Sequence, residues 1–348
     1  MNRYRIALAS IAVLIAAAIL VTVVRNPPPP VTASSADGSV LPVASRHPAP
    51  DFTGIDGWLN SPPLTLAGLR GKVVLVDFWT FSCVNCVRTI PHLKTLYDDY
   101  SGDGLVIVGV HSPEFDFEKV PANVAAAVTR LGVSWPVAID SQMATWNAYQ
   151  NEYWPAEYLI DKQGRVAYWN FGEGGYAQTD AAVANLLGVH QVTAPASTPV
   201  PGNTTPELYA GSERGQLADN EQYGGPGQPT NYPDPGPPQT QDAIQVTGRW
   251  TDEGQYLVAD SSGDHVRLEF QADTVYIVAG TAGSTLPVSV KLDGKPVSTG
   301  NNGAALTQST FSVTREDLYQ LLTGVSSGYH LIDLTVPAGF QIYTFTFG

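Results

Sequence analysis

Short apolar runs of strand length alternate with stretches of helical periodicity between residues 48 and 191. Turn residues such as Lys162-Gln163-Gly164 separate the runs. The predicted strands are residues 73–79, 105–110 and 157–161, and the predicted helices are residues 121–131, 143–149 and 178–187. Strand and helix in alternation are typical of an α/β layer fold.

The pattern changes beyond residue 191. A Pro/Thr/Ala-rich stretch at residues 193–203 is typical of a linker, and a second loop at residues 224–240 is dense in Gly, Pro and Gln. From residue 244 onward, short β-type runs recur between turns. These runs are residues 255–259, 266–271, 274–278, 287–292, 329–336 and 341–347. They predict an all-β domain, which we expect to be a jelly-roll sandwich.

The N-terminal segment predicts the compartment. Residues 6–24 form an apolar run near the ~20 residues that a bilayer span needs, with Arg3 and Arg5 before it and Arg25 and four prolines after it. We expect a signal anchor with one transmembrane helix and the bulk of the chain outside the cytoplasm, in the periplasm or at the cell surface. Secretion after signal cleavage is the alternative, since Ala33 ends a small-residue site.

These patterns divide the chain into five segments. They are an anchor at residues 1–25, a Pro/Ser/Ala-rich tether at 26–47, an α/β domain at 48–191, a linker at 192–204 and a β-sandwich at 205–348. With 348 residues and 43% hydrophobic content, the chain can bury two cores of ordinary domain size. Its net charge of −14 opposes nucleic-acid binding, which needs clustered Lys and Arg.

Metal and cofactor sites are not predicted. The six histidines are scattered singly, and Asp252, Asp260 and Asp264 do not have the spacing of a calcium loop. We therefore expect neither a metal nor a cofactor, although structural ions in the sandwich stay an open alternative.

The chain contains two cysteines, Cys83 and Cys86, in a C-x-x-C motif directly after the apolar run at residues 73–79. A helix that begins at this motif places the first sulfur at its N-terminus, where free N–H groups and the helix dipole stabilise a thiolate. We predict a redox dithiol with Cys83 as nucleophile and Cys86 as resolving thiol. Zinc is the alternative, but a closed site needs four ligands, and His92 and His111 offer no second paired motif.

The letters around the cysteines, VDFWTFSCVNCVRTIP from Val76, resemble the active-site segment of thioredoxin. This resemblance places Asp77 on the central strand beneath the cysteines, where a desolvated carboxyl exchanges a proton with Cys86. A strand-end carboxylate without a chemical role is the alternative. Trp79 is expected beside the dithiol as part of the client-binding surface, or as a plain core aromatic. Pro91 is expected to kink the helix.

A second segment, WPAEYLID from Trp154, is similar to the thioredoxin element in which a cis-proline faces the dithiol. Trp154 and Pro155 are therefore expected to bind substrate, with the backbone edge at Pro155 pairing with a client peptide. Residues 49–52 and 64–72 resemble the TlpA-like and redoxin branches. These resemblances imply a thioredoxin fold and an extracytoplasmic thiol-disulfide oxidoreductase.

The segments HSPEFDFEK at residues 111–119 and FGEGGY at 171–176 resemble the redox domain of the DipZ proteins. Glu114 falls where related reductases carry an acid near the dithiol, so it is a candidate for handling protons or tuning the pKa of the dithiol; a solvated loop glutamate is the alternative.

TPELYAG from Thr205 and the closing YTFTFG resemble the C-terminal DipZ domain, which is similar to a carbohydrate-binding module. Glycan binding would need exposed aromatic faces, for which the available residues are Trp250, Tyr256, Tyr276 and Tyr343. A docking or spacer role for redox clients is the other expectation.

The resemblance implies partners as well as a reaction. DipZ proteins join a polytopic electron-carrying membrane domain to this redox domain, and we expect a separate membrane donor similar to the CcdA family to recharge Cys83 and Cys86. Protein disulfides are the expected clients, with cytochrome c apoproteins or general disulfide repair as alternatives. Thr80 to Cys83 also matches the T-x-x-C half of a peroxiredoxin site, but Val76 stands where that pattern has proline. Thiol peroxidase is therefore an alternative function, and a glycan-binding surface module is another.

Overall fold

The structure is a computed structural model, and it describes residues 38–191 and 203–348. The predicted anchor at residues 1–25, most of the tether and most of the linker lie outside the described residues. Within the described ranges, every helix is too short or too polar to cross a bilayer.

The first sheet has seven strands in the order β1-β7-β6-β3-β4-β5-β2. Its strands are β1 His47–Pro48, β2 Gly57–Leu59, β3 Val73–Trp79, β4 Leu105–His111, β5 Val137–Ile139, β6 Ala156–Ile160 and β7 Arg165–Phe171. The helices around it are α1 Val84–Tyr100, α2 Pro121–Leu131, α3 Ala144–Ala148 and α4 Tyr176–Leu187, with 3₁₀ turns at Val43–Ser45 and Asp116–Lys119. Strand β3 pairs parallel with β4 and antiparallel with β6, so the predicted thioredoxin fold is confirmed.

Strand β3 lies at the centre of this sheet and is buried along its whole length. Successive side chains of a strand point to opposite faces. Leu75 and Trp79 pack into the cluster beneath α1, whereas Val76 and Phe78 pack into the cluster on the other face. Asp77 therefore points to the same face as Trp79, toward α1. The alternation aims one carboxyl at the helix that carries the cysteines.

The second sheet has twelve strands, and its ordered path runs β15-β14-β18-β12-β10-β11-β19-β13-β17. Its strands are β8 Leu208–Tyr209, β9 Pro229–Tyr232, β10 Gln245–Asp252, β11 Leu257–Ala259, β12 Asp264–Phe270, β13 Val275–Thr281, β14 Leu286–Leu292, β15 Lys295–Pro296, β16 Thr310–Val313, β17 Asp317–Leu322, β18 His330–Val336 and β19 Phe340–Phe347. A third 3₁₀ turn spans Ala218–Asn220. The predicted all-β character is confirmed, and its assignment as a jelly roll stays a prediction.

Strand β10 joins the two halves of the second sheet. One half contains β14, β18 and β12, and the other contains β11, β19 and β13. The first residues of β10 pair with β12 and its last residues with β11. Gly248 lies at the change of partner with a φ of 96°, and a Cβ there would lie 2.1 Å from Asp264 Oδ1. Only glycine fits this position. One large apolar cluster fills the space between the two halves, with Trp250 and Phe270 fully buried in it.

The elements predicted for the first domain lie close to their observed positions, whereas strands β1, β2, β5 and β7 were not predicted. The helix at residues 121–131 is confirmed in full, and Pro91 lies inside α1 as expected. The loop predicted at residues 224–240 is wrong in part, because Pro229–Tyr232 pairs with β10 as an edge strand. Strands β10, β16 and β17 were not predicted, since polar residues or glycine interrupt their apolar positions.

The two domains share a buried cluster. Val278 and Tyr343 of the second domain pack with Phe115 and Phe117 of the first. The Tyr343 ring lies 5.2 Å from that of Phe115 and 5.0 Å from that of Phe117, edge to face in both pairs. Arg130 of α2 also pairs with an aspartate of β17 at 2.7 Å. The second domain is therefore packed against the first through an apolar contact with ionic support.

Candidate active site

Cys83 and Cys86 lie at the start of α1. Cys83 is the N-cap residue and is half-buried, and its Sγ accepts a hydrogen bond from the Cys86 backbone N–H at 3.3 Å. Cys86 is 2% exposed, and both cysteines are free thiols whose Sγ atoms are 2.7 Å apart. Burial raises the pKa of Cys86 well above its ordinary value. The arrangement can present one sulfur to a partner while the other stays protonated behind it.

Asp77 lies beneath the dithiol, as predicted. It is 3% exposed, and its Oδ1 has no hydrogen-bond partner among the described residues. Burial raises its pKa well above the usual range, and the neighbouring Glu157 raises it further. The Asp77 carboxyl is also close enough to Cys86 to raise the pKa of that thiol. The geometry thus provides a buried carboxyl that can exchange a proton with Cys86.

Glu157 was not predicted as a site residue. It lies on β6 directly across from Asp77 on β3, is 3% exposed, and accepts a hydrogen bond from Thr179 Oγ1 at 2.8 Å. Burial raises the pKa of Glu157 to about 7. Asp77 and Glu157 therefore form a buried carboxyl pair in which two charges would repel each other in a low-dielectric interior. The sequence signal was a glutamate inside an otherwise apolar strand.

The peptide bond between Trp154 and Pro155 is cis, as predicted. Trp154 is half-buried, donates from Nε1 to Ser112 O at 3.0 Å, and lies against Trp146 with 4.1 Å between ring centroids. Tyr153, next to it, is 44% exposed and stacks on Phe171 at 5.1 Å. The chain before the cis-proline therefore has an aromatic surface open to a partner.

Trp79 does not contribute to that surface. Its side chain is 2% exposed, because its position on β3 points under α1. The ring lies edge-on to His111 at 5.3 Å. The expectation that Trp79 binds clients is wrong, and the alternative reading as a core aromatic is confirmed.

Glu118 holds the loop that leads into Cys83. Its Oε1 accepts from Thr80 Oγ1 and Ser82 Oγ, both at 2.5 Å, and from Ser82 N at 3.4 Å. Its Oε2 accepts from the backbone N–H groups of Glu114 at 2.6 Å and Phe115 at 2.9 Å. Burial raises the pKa of Glu118, and these donors oppose that rise.

His111 completes the network around this loop. Its Nε2 lies 3.3 Å from Thr80 Oγ1, and burial lowers its pKa to about 3, so the ring is neutral. The single hydroxyl hydrogen of Thr80 is donated in a hydrogen bond to Glu118, so Thr80 Oγ1 can only accept from His111. We therefore assign the proton of His111 to Nε2.

The Glu114 side chain contacts the second domain rather than the dithiol. Its carboxylate accepts from Arg214 Nη1 at 2.7 Å and from Tyr209 Oη at 2.8 Å, both in the second domain. The structure therefore corrects the expectation that Glu114 acts at the dithiol, because the acid that contacts the cysteine loop is Glu118, four residues further on. The 3₁₀ turn over Asp116–Lys119 directs the two side chains to different partners.

Arg88 lies on α1 beside the cysteines. It forms a bidentate pair with Glu173, with Nε–Oε1 at 2.9 Å and Nη2–Oε2 at 2.7 Å, and Nη2 also donates to Asn85 Oδ1 at 2.6 Å. Its Nη1 lies 3.5 Å from Phe347 O of the second domain. The FGEGGY segment thus supplies the carboxylate that fixes a cation next to the dithiol.

The aromatic side chains expected to bind sugar are mostly covered. Trp250 is 1% exposed and donates from Nε1 to Thr247 O at 2.9 Å. Tyr343 is 4% exposed at the domain contact, where Tyr256 packs on it at 4.7 Å. Tyr276 is half-buried. The expectation of exposed faces is wrong for Trp250 and Tyr343, because their rings fill the core and the domain contact. Across residues 38–191 and 203–348, no cluster of His, Cys, Asp and Glu has the arrangement of a metal site.

Two family profiles match the chain. Residues 46–169 match the AhpC/TSA family, and residues 205–348 match the family described as thioredoxin like C-terminal domain.

Known proteins resemble the chain over different lengths. DipZ of Mycobacterium bovis and DipZ of Mycobacterium tuberculosis are each 39% identical over 319 residues, which cover 86% of this chain and 43% of DipZ. The chain thus spans less than half the length of these relatives. The thiol-disulfide oxidoreductase YkuV of Bacillus subtilis is 30% identical over 142 residues, which cover 41% of this chain and 95% of YkuV.

Among solved structures, a thioredoxin-like superfamily protein is 30% identical, with a TM-score of 0.39, and the match covers 42% of this chain and 99% of that one. The C-x-x-C at the start of α1, the cis-proline and the match to nearly all of YkuV agree with one another. The chain belongs to the thioredoxin-like thiol-disulfide oxidoreductases, with a redoxin domain followed by a thioredoxin-like C-terminal domain.

Proposed function

We propose that the chain works as a reductase of protein disulfides outside the cytoplasm, tethered to the membrane through residues 6–24. The observation that carries the exchange reaction is the pair of free thiols at the start of α1, with Cys83 half-buried at the helix N-terminus and Cys86 buried behind it. The reductive direction is what the resemblance to the TlpA-like and DipZ proteins implies. It is tested by the reduction potential, because strong oxidants of this fold owe their potential to a stabilised reduced form.

The proposed reaction has two exchange steps. The Cys83 thiolate attacks one sulfur of the client disulfide, the client S–S bond breaks, and the departing client sulfur takes up a proton. Cys86 then attacks Cys83 Sγ in the mixed disulfide, the bond between Cys83 and the client breaks, and the second client sulfur leaves as a thiolate that takes up a proton. The Cys86 proton passes to the carboxyl pair of Asp77 and Glu157. Two electrons go to the client, and a Cys83–Cys86 disulfide remains.

The client is held beside the cis-proline in this proposal. The half-buried ring of Trp154 and the exposed ring of Tyr153 flank the backbone at Pro155, within reach of an extended peptide. Cytochrome c apoproteins and misoxidised proteins in general are the two client classes. Replacing Cys86 by Ser would trap clients on Cys83 for identification by mass spectrometry, with a Cys83→Ser/Cys86→Ser chain as the matched control.

The reduction potential tests the direction. The pair is equilibrated with defined thiol buffers, and a value near or below the roughly −270 mV of thioredoxin supports a reductase. A value near the roughly −120 mV of DsbA would reverse the proposal and make the protein an oxidant. A membrane donor similar to CcdA is the proposed electron source. Deleting such a donor should leave the Cys83–Cys86 pair oxidised in cells, and a pair that stays reduced would exclude it.

The two alternative functions have less support. Val76 stands where the peroxidase pattern has proline, and the Thr80 hydroxyl of the T-x-x-C half donates a hydrogen bond to Glu118. Peroxide consumption by the reduced chain should therefore be no faster than by a free thiol. Two of the four rings that glycan binding was expected to use, those of Trp250 and Tyr343, are buried. We propose instead that the second domain supports the redox domain.

A further inference from the structure

Residues 114–119, called here the interdomain segment, contact both the second domain and the active-site loop. On one side, the Tyr343 ring of the second domain packs against Phe115 and Phe117. Arg214 lies over the Phe115 ring at 4.9 Å and pairs with Glu114 at 2.7 Å. Four contacts of different kinds, including a hydrogen bond from the Asp116 N–H to Gln255 Oε1 at 3.0 Å, thus fix this short segment to the second domain.

On its other side, the interdomain segment holds the loop that precedes Cys83. Glu118 accepts hydrogen bonds from the hydroxyl groups of Thr80 and Ser82. The Phe117 ring lies 5.7 Å from that of Phe81 in the same loop. All three loop residues are 2% exposed or less, so the loop has no solvent contact that could replace these partners. The positions of Glu118 and Phe117 therefore determine where Cys83 begins α1.

We propose that the second domain positions the nucleophile through the interdomain segment, with Glu118 and Phe117 as the positioning residues. Tyr343 fixes the two phenylalanines, which fixes the 3₁₀ turn, and the turn aims Glu118 at the loop. The second domain is thereby part of the apparatus that orders the dithiol. This holds for thiol-disulfide exchange in either direction and does not depend on the reductase assignment.

The chemistry of Glu118 makes it suited to this role. Its carboxylate oxygens accept from two hydroxyls and three backbone N–H groups. Oε1 serves the active-site loop and Oε2 serves the interdomain segment itself. A glutamine of the same shape keeps one accepting oxygen and turns the other into a donor. The Glu118→Gln variant therefore breaks one of the two connections with little change in volume.

The test is a double-mutant cycle on the full-length chain. The reduced protein is mixed with dipyridyl disulfide, a small probe that needs no client surface, and the released thione is followed in a single turnover. We expect Glu118→Gln to slow the reaction about tenfold and Tyr343→Leu about threefold. The double variant should be within about twofold of Glu118→Gln alone, because both changes act through the same residue.

Matched variants separate positioning from folding. Asp103→Asn removes an exposed carboxylate in the turn after α1, outside the interdomain segment, so its rate should equal that of wild type. Thr80→Val should slow exchange, and Thr80→Ser, which keeps the hydroxyl, should slow it less. If Glu118→Gln lowers the melting temperature and leaves the rate unchanged, its role is structural and the proposal is overturned. If the rate reductions of the two single variants multiply in the double variant, the second domain acts independently of Glu118, and the proposal is likewise overturned.

Discussion

The buried carboxyl pair beneath the dithiol makes stability depend on pH in an unusual direction. Burial raises the pKa of Glu157 from 4.5 to about 7. Between these values, the folded chain holds one proton more at this site than the unfolded chain does. Stability rises with pH only where the unfolded state binds more protons, so here it falls as pH rises. The stability that the protonated Glu157 contributes is present in full below pH 4.5. It is lost as the pH rises from 4.5 through about 7.

The magnitude follows from the same values. A difference of one proton changes the free energy of unfolding by about 1.4 kcal/mol for each pH unit. Over the interval from 4.5 to about 7, Glu157 therefore costs the folded chain roughly 3 kcal/mol. The side chain is 3% exposed, so solvent screening does not reduce this figure much. Glutamine resembles the protonated glutamate, keeps an acceptor for Thr179, and removes the titration.

The assay is urea unfolding of the reduced chain at several pH values from about 5 to 8. We expect Glu157→Gln to match wild type near pH 5 and to be more stable by about 2–3 kcal/mol at pH 8. Glu152→Gln, an exposed acid in the segment before the cis-proline, should follow the wild-type curve at every pH. Parallel curves for wild type and Glu157→Gln would refute the argument, because they would show that Glu157 titrates alike in the folded and unfolded chain.

Three further changes test other parts of the site. Asp77→Asn should slow the release of the second client thiol at least about tenfold, because Cys86 loses its proton acceptor; quenched-flow measurement of the mixed disulfide checks this, and an unchanged decay would assign the proton to another group. Tyr343→Ala should cost about 3 kcal/mol in urea unfolding through loss of a buried ring, and a cost below about 1 kcal/mol would mean that the ring is not packed between the domains. Glu173→Gln should cost about 1 kcal/mol by releasing Arg88, and the loss should shrink at high salt; a salt-independent loss would contradict an ionic origin.

The features that the sequence predicted well depend on neighbours in the chain. The C-x-x-C at the start of a helix follows from an apolar strand and the residues directly after it, and the strand-helix alternation follows from periodicity. The cis bond before Pro155 was recognised from an eight-residue string, WPAEYLID. Each of these features needs only local information, so the thioredoxin fold and the two cysteines could be identified.

The features that the sequence missed depend on register and on contacts between domains. Glu157 faces Asp77 only because β6 pairs with β3 in one antiparallel register, and that pairing joins residues 80 positions apart. Glu118 and Glu114 lie in one short segment, and the turn between them decides which carboxyl contacts the cysteine loop. Tyr343 has the spacing of a strand aromatic, and its exposure depends on whether another domain covers it. Single-sequence patterns do not contain these long-range contacts.

The two buried glutamates of the redox domain differ in their hydrogen bonds, and that difference separates their roles. Glu118 accepts from five donors, which stabilise its ionised form against the burial that raises its pKa. Among the described residues, Glu157 accepts from Thr179 alone, and burial raises its pKa to about 7. A carboxylate with many donors loses several hydrogen bonds when it is protonated, whereas one with a single donor loses little. Glu118 is therefore suited to hold a loop in place, and the pair of Glu157 and Asp77 is suited to take up and return the proton that disulfide exchange moves.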